Sequence, residues 1–126
     1  MNAQPLSSAI AWPDHRKLAL PILEGWMFLP TDTIRYLEAQ GSYTLLHLSN
    51  GQQVLVSRNL AALAVQIDDP VSFVRIHRSY IVHLAFLEKF VKTKSPTLQL
   101  DDGTALPLSL QRKEEVLEAM QQFFRF

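Results

Sequence analysis

The order of apolar and polar residues predicts short β-strands over most of the chain. Alternating apolar positions or β-prone runs favour strands at residues 17–22, 26–29, 34–38, 43–48, 52–56, 73–76, 86–92, 97–100 and 104–108. Asn50-Gly51 lies between two of these runs and predicts a hairpin with a type I′ turn, because both residues tolerate a positive φ. Asp102-Gly103 predicts a second hairpin, with Leu98, Leu100, Leu106 and Leu108 on one buried face.

Two helices complete the pattern. Leu60, Leu63, Ala64 and Ile67 follow helical spacing, and Asn59 or Ser57 is available as the N-cap. A longer C-terminal helix is predicted after Ser109, which would cap it, with an apolar stripe formed by Val116, Leu117, Met120 and Phe124. The sequence therefore predicts a mostly β protein of antiparallel sheets, with one short internal helix and a C-terminal helix.

The length and composition indicate one domain with a real core. The chain has 126 residues, of which 48% are hydrophobic and 19% are charged. Residues 1–16 lack an apolar period and are interpreted as a flexible leader, which leaves residues 17–126 as the domain. No apolar run is long enough to span a membrane and no signal peptide is evident, so a cytoplasmic protein is expected. The absence of cysteine excludes disulfides and thiol catalysis.

The net charge is zero, with 12 basic and 12 acidic residues, but the charges are unevenly distributed. Residues 71–100 contain one carboxylate, Glu88, and five cations: Arg75, Arg78, Lys89, Lys92 and Lys94. Such a stretch fits either a surface that faces phosphates or an ordinary solvated face. Charge alone favours the solvated face, since a neutral total lowers the expectation of nucleic-acid binding.

Motifs of catalysis and metal binding are missing. The sequence has no nucleophile elbow, no phosphate-binding glycine loop and no paired metal-binding histidines on a helix. His77 and His83 are six positions apart, which fits no common metal site, and His47 in a strand is interpreted as a packed or hydrogen-bonded side chain. The sequence therefore predicts no enzyme, no metal and no cofactor.

One segment concentrates the polar chemistry, namely residues 73–83. It places Arg75, His77, Arg78 and Ser79 between apolar residues that are expected to be buried: Phe73, Ile76, Ile81 and Val82. Arginine reads guanine because its planar fork matches the O6 and N7 acceptors in the major groove. An ordinary strand and turn on the surface would explain the same residues about equally well. His77 is expected to be partly buried and to shape the loop.

The blocks of this chain, in their order and spacing, resemble the LytTR family, the output domains of LytR/AgrA-type bacterial response regulators. The matching blocks are Leu18-Ala19-Leu20-Pro21 with Gly25, Ile34 to Ala39 with Gly41 to Thr44, Arg58-Asn59-Leu60 with Leu63, Phe73 to Val82, and Leu106 to Ser109. The resemblance covers residues 17–118. It implies an elongated fold of antiparallel β-sheets that binds specific double-stranded DNA through loops in the major groove and regulates transcription.

The resemblance also implies which loops face the duplex: residues 41–43, residues 77–79 and the segment after Ser109. Base contacts are expected from Arg78, Tyr43 and Gln111. Contacts to the DNA backbone are expected from Ser42, Arg58, Ser79, Lys92, Lys94, Arg112 and Lys113. The sequence departs from the family at His83, where the family usually has Asn, and at Leu110-Gln111, where it often has Arg. Gln111 is a candidate to read adenine in place of that arginine.

The expected partners are repeated DNA half-sites, a second copy of the chain on DNA, and a sensor or partner protein. Self-association is expected through residues 116–126, where Phe123, Phe124 and Phe126 are clustered. Sixteen leading residues are too few for a receiver domain, so the chain is interpreted as a stand-alone regulator or a fragment. The alternative function is a protein-interaction module that keeps the fold without binding DNA, which the zero net charge and the missing arginine favour.

Overall fold

The computed structural model describes residues 17–126, and the leader expected at residues 1–16 lies outside the described region. The strands of that region are β1 (Lys17–Ile22), β2 (Gly25–Pro30), β3 (Ile34–Gln40), β4 (Tyr43–Leu48), β5 (Gln53–Val56), β6 (Phe73–His77), β7 (Tyr80–His83), β8 (Leu87–Val91), β9 (Thr97–Leu100) and β10 (Ala105–Pro107). The helices are α1 (Leu60–Ile67) and α2 (Lys113–Phe124). Three-residue 3-10 turns precede β3, β8 and α2.

The strands form three antiparallel sheets. The central sheet has five strands in the order β5-β4-β3-β7-β6, the β1–β2 ribbon has two, and the third sheet has the order β10-β9-β8. The prediction of a mostly β fold with antiparallel sheets and two helices is confirmed. Pro21 lies in the β1–β2 ribbon, as expected for a residue without a backbone donor, and its carbonyl accepts a hydrogen bond from the Ser57 N–H (2.8 Å).

Each face of the central sheet covers its own hydrophobic core. On one face, the β1–β2 ribbon and α1 pack against central-sheet residues that include Leu37, Leu46 and Ile81. On the other face, the third sheet and α2 pack against residues that include Ile76 and Val82. Successive side chains of a strand point to opposite faces, so β6 and β7 contribute to both cores.

The hairpins form where they were predicted, but the type I′ turn is wrong. Gly51 has a φ of +90°, whereas Asn50 is not in the positive region, and Leu48 pairs with Gln52 around a three-residue loop. The side chain of Asn50 accepts a hydrogen bond from the Gln52 N–H (2.9 Å), which holds Asn50 in an ordinary turn conformation. The hairpin at Asp102-Gly103 has the same design, with Gly103 at a φ of +91°.

The two helices begin differently. The Asn59 side chain accepts a hydrogen bond from the Ala62 N–H (2.9 Å), so the predicted cap of α1 is confirmed. The prediction that Ser109 caps the C-terminal helix is wrong, because a 3-10 turn at Leu110–Arg112 separates it from α2 and its side chain makes no capping bond. Neither helix of the described region is long and apolar enough to cross a membrane.

Candidate nucleic-acid interface

Five surface segments lie in a row at one end of the sheets, joined by three backbone hydrogen bonds and one from a threonine side chain. The turn between β3 and β4 meets the turn between β6 and β7 where the Ala39 N–H donates to the Ser79 carbonyl (2.8 Å). On the far side of β6, the Ser109 N–H donates to the Ile76 carbonyl (2.9 Å). These two bonds place the β3–β4 turn, the β6–β7 turn and the segment after Ser109 side by side.

Two further bonds extend this row at both ends. The Thr44 hydroxyl donates to the Arg58 carbonyl (2.7 Å), which adds the loop between β5 and α1. The Leu108 N–H donates to the Pro96 carbonyl (3.0 Å), which adds the loop between β8 and β9. We call residues 41–43, 57–59, 77–79, 92–96 and 109–113 together the contact end. It contains all ten residues that the sequence nominated for DNA contact.

The contact end is cationic although the chain is neutral. Its five segments contain no aspartate or glutamate, and they contain six cations: Arg58, Arg78, Lys92, Lys94, Arg112 and Lys113. The carboxylates of Asp101 and Asp102 lie at the opposite end of the sheets, where both form ion pairs with Arg35. Three carboxylates border the contact end: Glu24 lines a groove with Tyr43 and Ser57, and Glu114 and Glu115 follow Lys113. The six cations outnumber them, and such an excess of positive charge attracts phosphates.

The side chain of Arg78 is exposed on the turn between β6 and β7, in the middle of the row. Arg75 lies beneath the turn, where its Nε donates to the His77 carbonyl (2.9 Å) and its Nη2 to the Arg78 carbonyl (2.6 Å). The ring of His77 accepts a hydrogen bond from the Ser79 N–H through Nδ1 (3.1 Å). The expectation that His77 is partly buried and shapes the loop is confirmed, while the role of Arg75 was not foreseen.

The same turn is anchored in both cores. Phe73 and Ile81 are buried on one face of the central sheet, and Ile76 and Val82 are buried on the other. The predicted burial of these four residues is confirmed. Burial of large apolar side chains on each side of a short turn fixes its position relative to the sheet.

The turn between β3 and β4 presents Ser42 and Tyr43. It is a two-residue loop in which Gly41 has a φ of +62°, a conformation that favours glycine at the first position of such a hairpin. Tyr43 is 44% exposed, and its ring borders an open apolar groove of about 320 Å³ together with Met27 and Leu55. Tyr43 is thus partly exposed on the segment next to the Arg78 turn.

The remaining nominated residues lie in the last two segments of the row. Lys94 borders an open cleft of about 290 Å³ with His77 and Ser109, so the loop between β8 and β9 reaches the centre of the row. Lys92 and Gln111 are exposed, while Arg112 and Lys113 are half-buried. Burial lowers the pKa of Arg75, and the charge of nearby Arg112 acts in the same direction, which places Arg112 close to the Arg78 turn.

Two cations of the contact end have side-chain partners within the protein: Arg112 lies 3.9 Å from the Glu115 carboxylate, and Arg58 is engaged more extensively. Its guanidinium donates to the Gln66 side chain and lies 5.9 Å from the centre of the Trp26 ring. Gln66 in turn donates to the Ala19 carbonyl (2.7 Å). Arg58 therefore links α1 to the β1–β2 ribbon, and a phosphate contact by its side chain stays a prediction.

The histidines of the described region have structural partners. The Nε2 atom of His47 is hydrogen-bonded to the Glu38 carboxylate (2.9 Å), and its ring stacks on Tyr36. His83, which replaces the family's usual Asn, is buried and stacks on Phe73, and its Nδ1 donates a hydrogen bond to the Ile34 carbonyl (2.9 Å). Within residues 17–126, no three side chains of ligating type come together to hold a metal ion.

His83 is expected to make the fold sensitive to acid. Burial lowers the pKa of His83, and the hydrogen bond to Ile34 and the carboxylates of Asp69 and Asp32 only partly oppose this effect. The unfolded chain then binds a proton below about pH 6.5 that the folded chain does not bind. We expect the free energy of unfolding to decrease as the pH falls below about 6.5 toward the lowered pKa of the folded state.

The His83→Asn variant should lack this part of the pH dependence. Urea denaturation of both proteins between pH 5 and 8 measures it, since each unit of pKa difference is worth about 1.4 kcal/mol. The difference between the two curves isolates His83 from the other titrating groups. Parallel curves across this range would show that His83 does not couple folding to pH.

Comparison with known proteins identifies the family of the chain. The family model described as the LytTr DNA-binding domain matches residues 24–121. The solved structure of a LytTr DNA-binding domain of a putative methyl-accepting/DNA response regulator from Bacillus cereus matches with a TM-score of 0.70 and 20% identity, over 83% of this chain and 96% of that one. This likeness shows the same fold.

Two similar proteins are longer than this chain. The CO-responsive transcriptional regulator RcoM of Rhodospirillum rubrum is 39% identical over 90 residues, which are 71% of this chain and 37% of that protein. The heme-containing CO-sensing transcriptional regulator RcoM 2 of Paraburkholderia xenovorans is 32% identical over 124 residues, which are 94% of this chain and 45% of that protein. The chain thus spans less than half the length of these relatives. With the family model matched over most of its length, the chain belongs to the LytTR family of DNA-binding domains.

Proposed function

We propose that this chain binds specific double-stranded DNA through the contact end, with its loops in the major groove, and that it thereby regulates transcription. The row of five segments carries this proposal, because it joins cations from distant parts of the sequence on one continuous surface. A protein surface that presents positive charge in a row fits the phosphates along a duplex. The named transcriptional regulators among its relatives support the regulatory role.

Within the row, we propose that the central residues contact bases and that the flanking residues contact phosphates. Arg78 reads a base, most simply guanine, with Tyr43 beside it and Gln111 reading adenine from the neighbouring segment. Ser79 and Ser42 bond phosphate oxygens next to these readers. The cations that flank the centre contribute affinity without sequence information: Arg58, Lys92, Lys94, Arg112 and Lys113.

A binding titration at several salt concentrations tests this function. The protein is mixed with labelled DNA from upstream of its own coding region, with unlabelled random duplex as competitor. We expect a complex that survives competitor, and a logarithmic salt slope no steeper than about −5, which corresponds to six phosphates. Equal affinity for upstream and random DNA over several candidate fragments would contradict specific binding, and an absence of binding at low salt would contradict DNA binding.

One observation favours the second candidate, a protein-interaction module. Trp26 and Phe28 of the β1–β2 ribbon are 57% and 62% exposed, and the Arg58 guanidinium lies over the Trp26 ring. Exposed aromatic rings on neighbouring positions of a strand are typical of a partner surface. The two functions separate in the same titration, because an interaction module without DNA binding gives no shift at any salt concentration.

The last turn of α2 is proposed to mediate weak self-association on paired half-sites. Phe123 packs toward the core of the third sheet, whereas Phe124 and Phe126 are exposed. Deleting residues 124–126 removes the exposed rings and spares Phe123. We expect the deletion to lower cooperativity on a two-site duplex without changing the affinity for one site, as measured by analytical ultracentrifugation. Unchanged cooperativity would place the association surface elsewhere.

A further inference from the structure

The turn that carries Arg78 is held from inside the protein by two side chains. Arg75 donates to two successive carbonyls, those of His77 and Arg78, and the His77 ring accepts from the Ser79 N–H. The pairing of β6 with β7 shifts register between Arg75 and His77, so the regular ladder is interrupted at this point. Side chains thus supply bonds that regular strand pairing would otherwise supply.

We propose that Arg75 is a positioning residue for DNA recognition, which sets the direction of the Arg78 side chain and so determines base specificity without contacting DNA. This inference rests on the function proposed above. Fixing the carbonyls of His77 and Arg78 fixes the peptide planes on both sides of the Arg78 Cα. The guanidinium of Arg78 then starts from a defined position when it meets the duplex, and less freedom is lost on binding.

The geometry calls for arginine at this position. Two bonds from one guanidinium to neighbouring carbonyls need a planar, rigid fork, which lysine lacks because its ammonium is a single point of charge. The donors are charged, so each bond is stronger than a bond between neutral groups. Arg75 is half-buried, and two of its three nitrogens already donate to the turn. The Arg75 guanidinium is therefore used to hold the turn from inside the protein, whereas the Arg78 side chain is exposed to solvent.

A positioning role predicts a specific pattern of coupling. If Arg75 acts only through Arg78, removing Arg75 should reduce specific binding when Arg78 is present and should change nothing further when Arg78 has been replaced. The loss caused by Arg75→Gln should then not exceed the loss caused by Arg78→Ala. A side chain that contacts phosphate directly would instead give independent, additive losses.

The experiment is a double-mutant cycle of Arg75→Gln and Arg78→Ala on specific and random duplexes, with Arg75→Lys as the conservative variant. Lys17→Gln is the matched control, since it also removes one exposed cation but lies at the start of β1, whose opposite end bonds to Ser57 of the contact end. For Arg75→Gln we expect the ratio of specific to random affinity to decrease, within the range of about 5- to 150-fold that one bidentate base contact supplies. We expect an unchanged salt slope and no rescue by Arg75→Lys.

Each alternative outcome overturns the proposal in a recognisable way. Additive losses with a salt slope reduced by about 1 identify Arg75 as a phosphate contact. Full specificity in the lysine variant shows that the fork is not required. If the glutamine variant fails to fold, the lysine variant, which keeps the charge and stem, decides between these outcomes.

A measurement without DNA separates this inference from the proposed function. In NMR spectra of the free protein, the Arg75 Nε–H and the Ser79 amide should exchange slowly with solvent, and Ser79 should lose this protection in Arg75→Lys. Wild-type protein that shows no specific DNA binding contradicts the proposed function itself. Wild-type protein that binds specifically, with variants that keep both specificity and Ser79 protection, contradicts only the positioning role of Arg75.

Discussion

Replacing Ile76 by alanine is expected to decrease the free energy of unfolding by about 2–5 kcal/mol. Ile76 is fully buried in the core between the central sheet, the third sheet and α2. The substitution removes three carbon atoms and leaves a cavity that residues on three elements cannot all move to fill. The expected cost therefore combines the lost burial with the cavity. Chemical denaturation followed by tryptophan fluorescence measures it.

The matched control is Val65→Ala on α1. Val65 is 78% exposed, so its truncation should change the free energy of unfolding by no more than about 0.5 kcal/mol. Alanine has the higher helix propensity, which offsets the small loss of contact. A cost for Ile76→Ala as small as that of the control would mean that the core on this face is loosely packed and not a determinant of stability.

The pattern of apolar positions and β-prone residues predicted nine of the ten strands of the described region, because each buries side chains against a core; β7 (Tyr80–His83) was not predicted as a strand. Alternation at Leu98 and Leu100 matched the face that packs against α2. In the central strands both faces are covered, and Phe73 and Val74 pack into different cores although they are adjacent. A strand that is buried on both faces does not show alternating apolar and polar residues. The prediction of these strands therefore depended on their content of β-branched and aromatic residues.

Local hydrogen bonding decided the features that the sequence predicted wrongly. The Asn50 side chain bonds the Gln52 N–H, which favours a three-residue loop over the type I′ turn that Asn-Gly suggests. Ser109 bonds Ile76 and Arg112 through its backbone, which accommodates a 3-10 turn before α2 and leaves its side chain without a capping role. Asn50 could either adopt a positive φ or bond the backbone through its side chain, and composition alone does not rank these two uses.

The sequence nominated ten residues for DNA contact, whose roles stay predictions, but it did not foresee that five segments are joined at one end of the sheets. Arg58, Arg78 and Lys94 are far apart in the sequence, and only the antiparallel pairing brings their segments to the same end of the sheets. The zero net charge gave no hint of this cluster of cations, because a sum over the chain contains no spatial information; the uneven distribution along the sequence pointed only to residues 71–100. Arg75 was counted as one cation among five, since a hydrogen bond to a carbonyl two residues away depends on the turn geometry.

The second large effect is expected from Arg78→Ala. Arg78 is exposed at the centre of the contact end, and its turn is fixed by Arg75, by His77 and by buried residues on both faces of the sheet. If its guanidinium reads a base, truncation should weaken binding to the specific site by about 1–3 kcal/mol and binding to random DNA by less. Titrations on both duplexes at one salt concentration measure the two losses.

Arg78→Lys separates charge from shape at the same position. Lysine keeps the positive charge but not the fork, so it should retain binding to random DNA and lose most of the specific part. Because the side chain is exposed, neither variant should change the free energy of unfolding by more than about 0.5 kcal/mol. Equal losses on both duplexes for Arg78→Ala, with full recovery by lysine, would reduce Arg78 to a phosphate contact. The base reading would then have to come from Tyr43 and Gln111, on the two segments beside it.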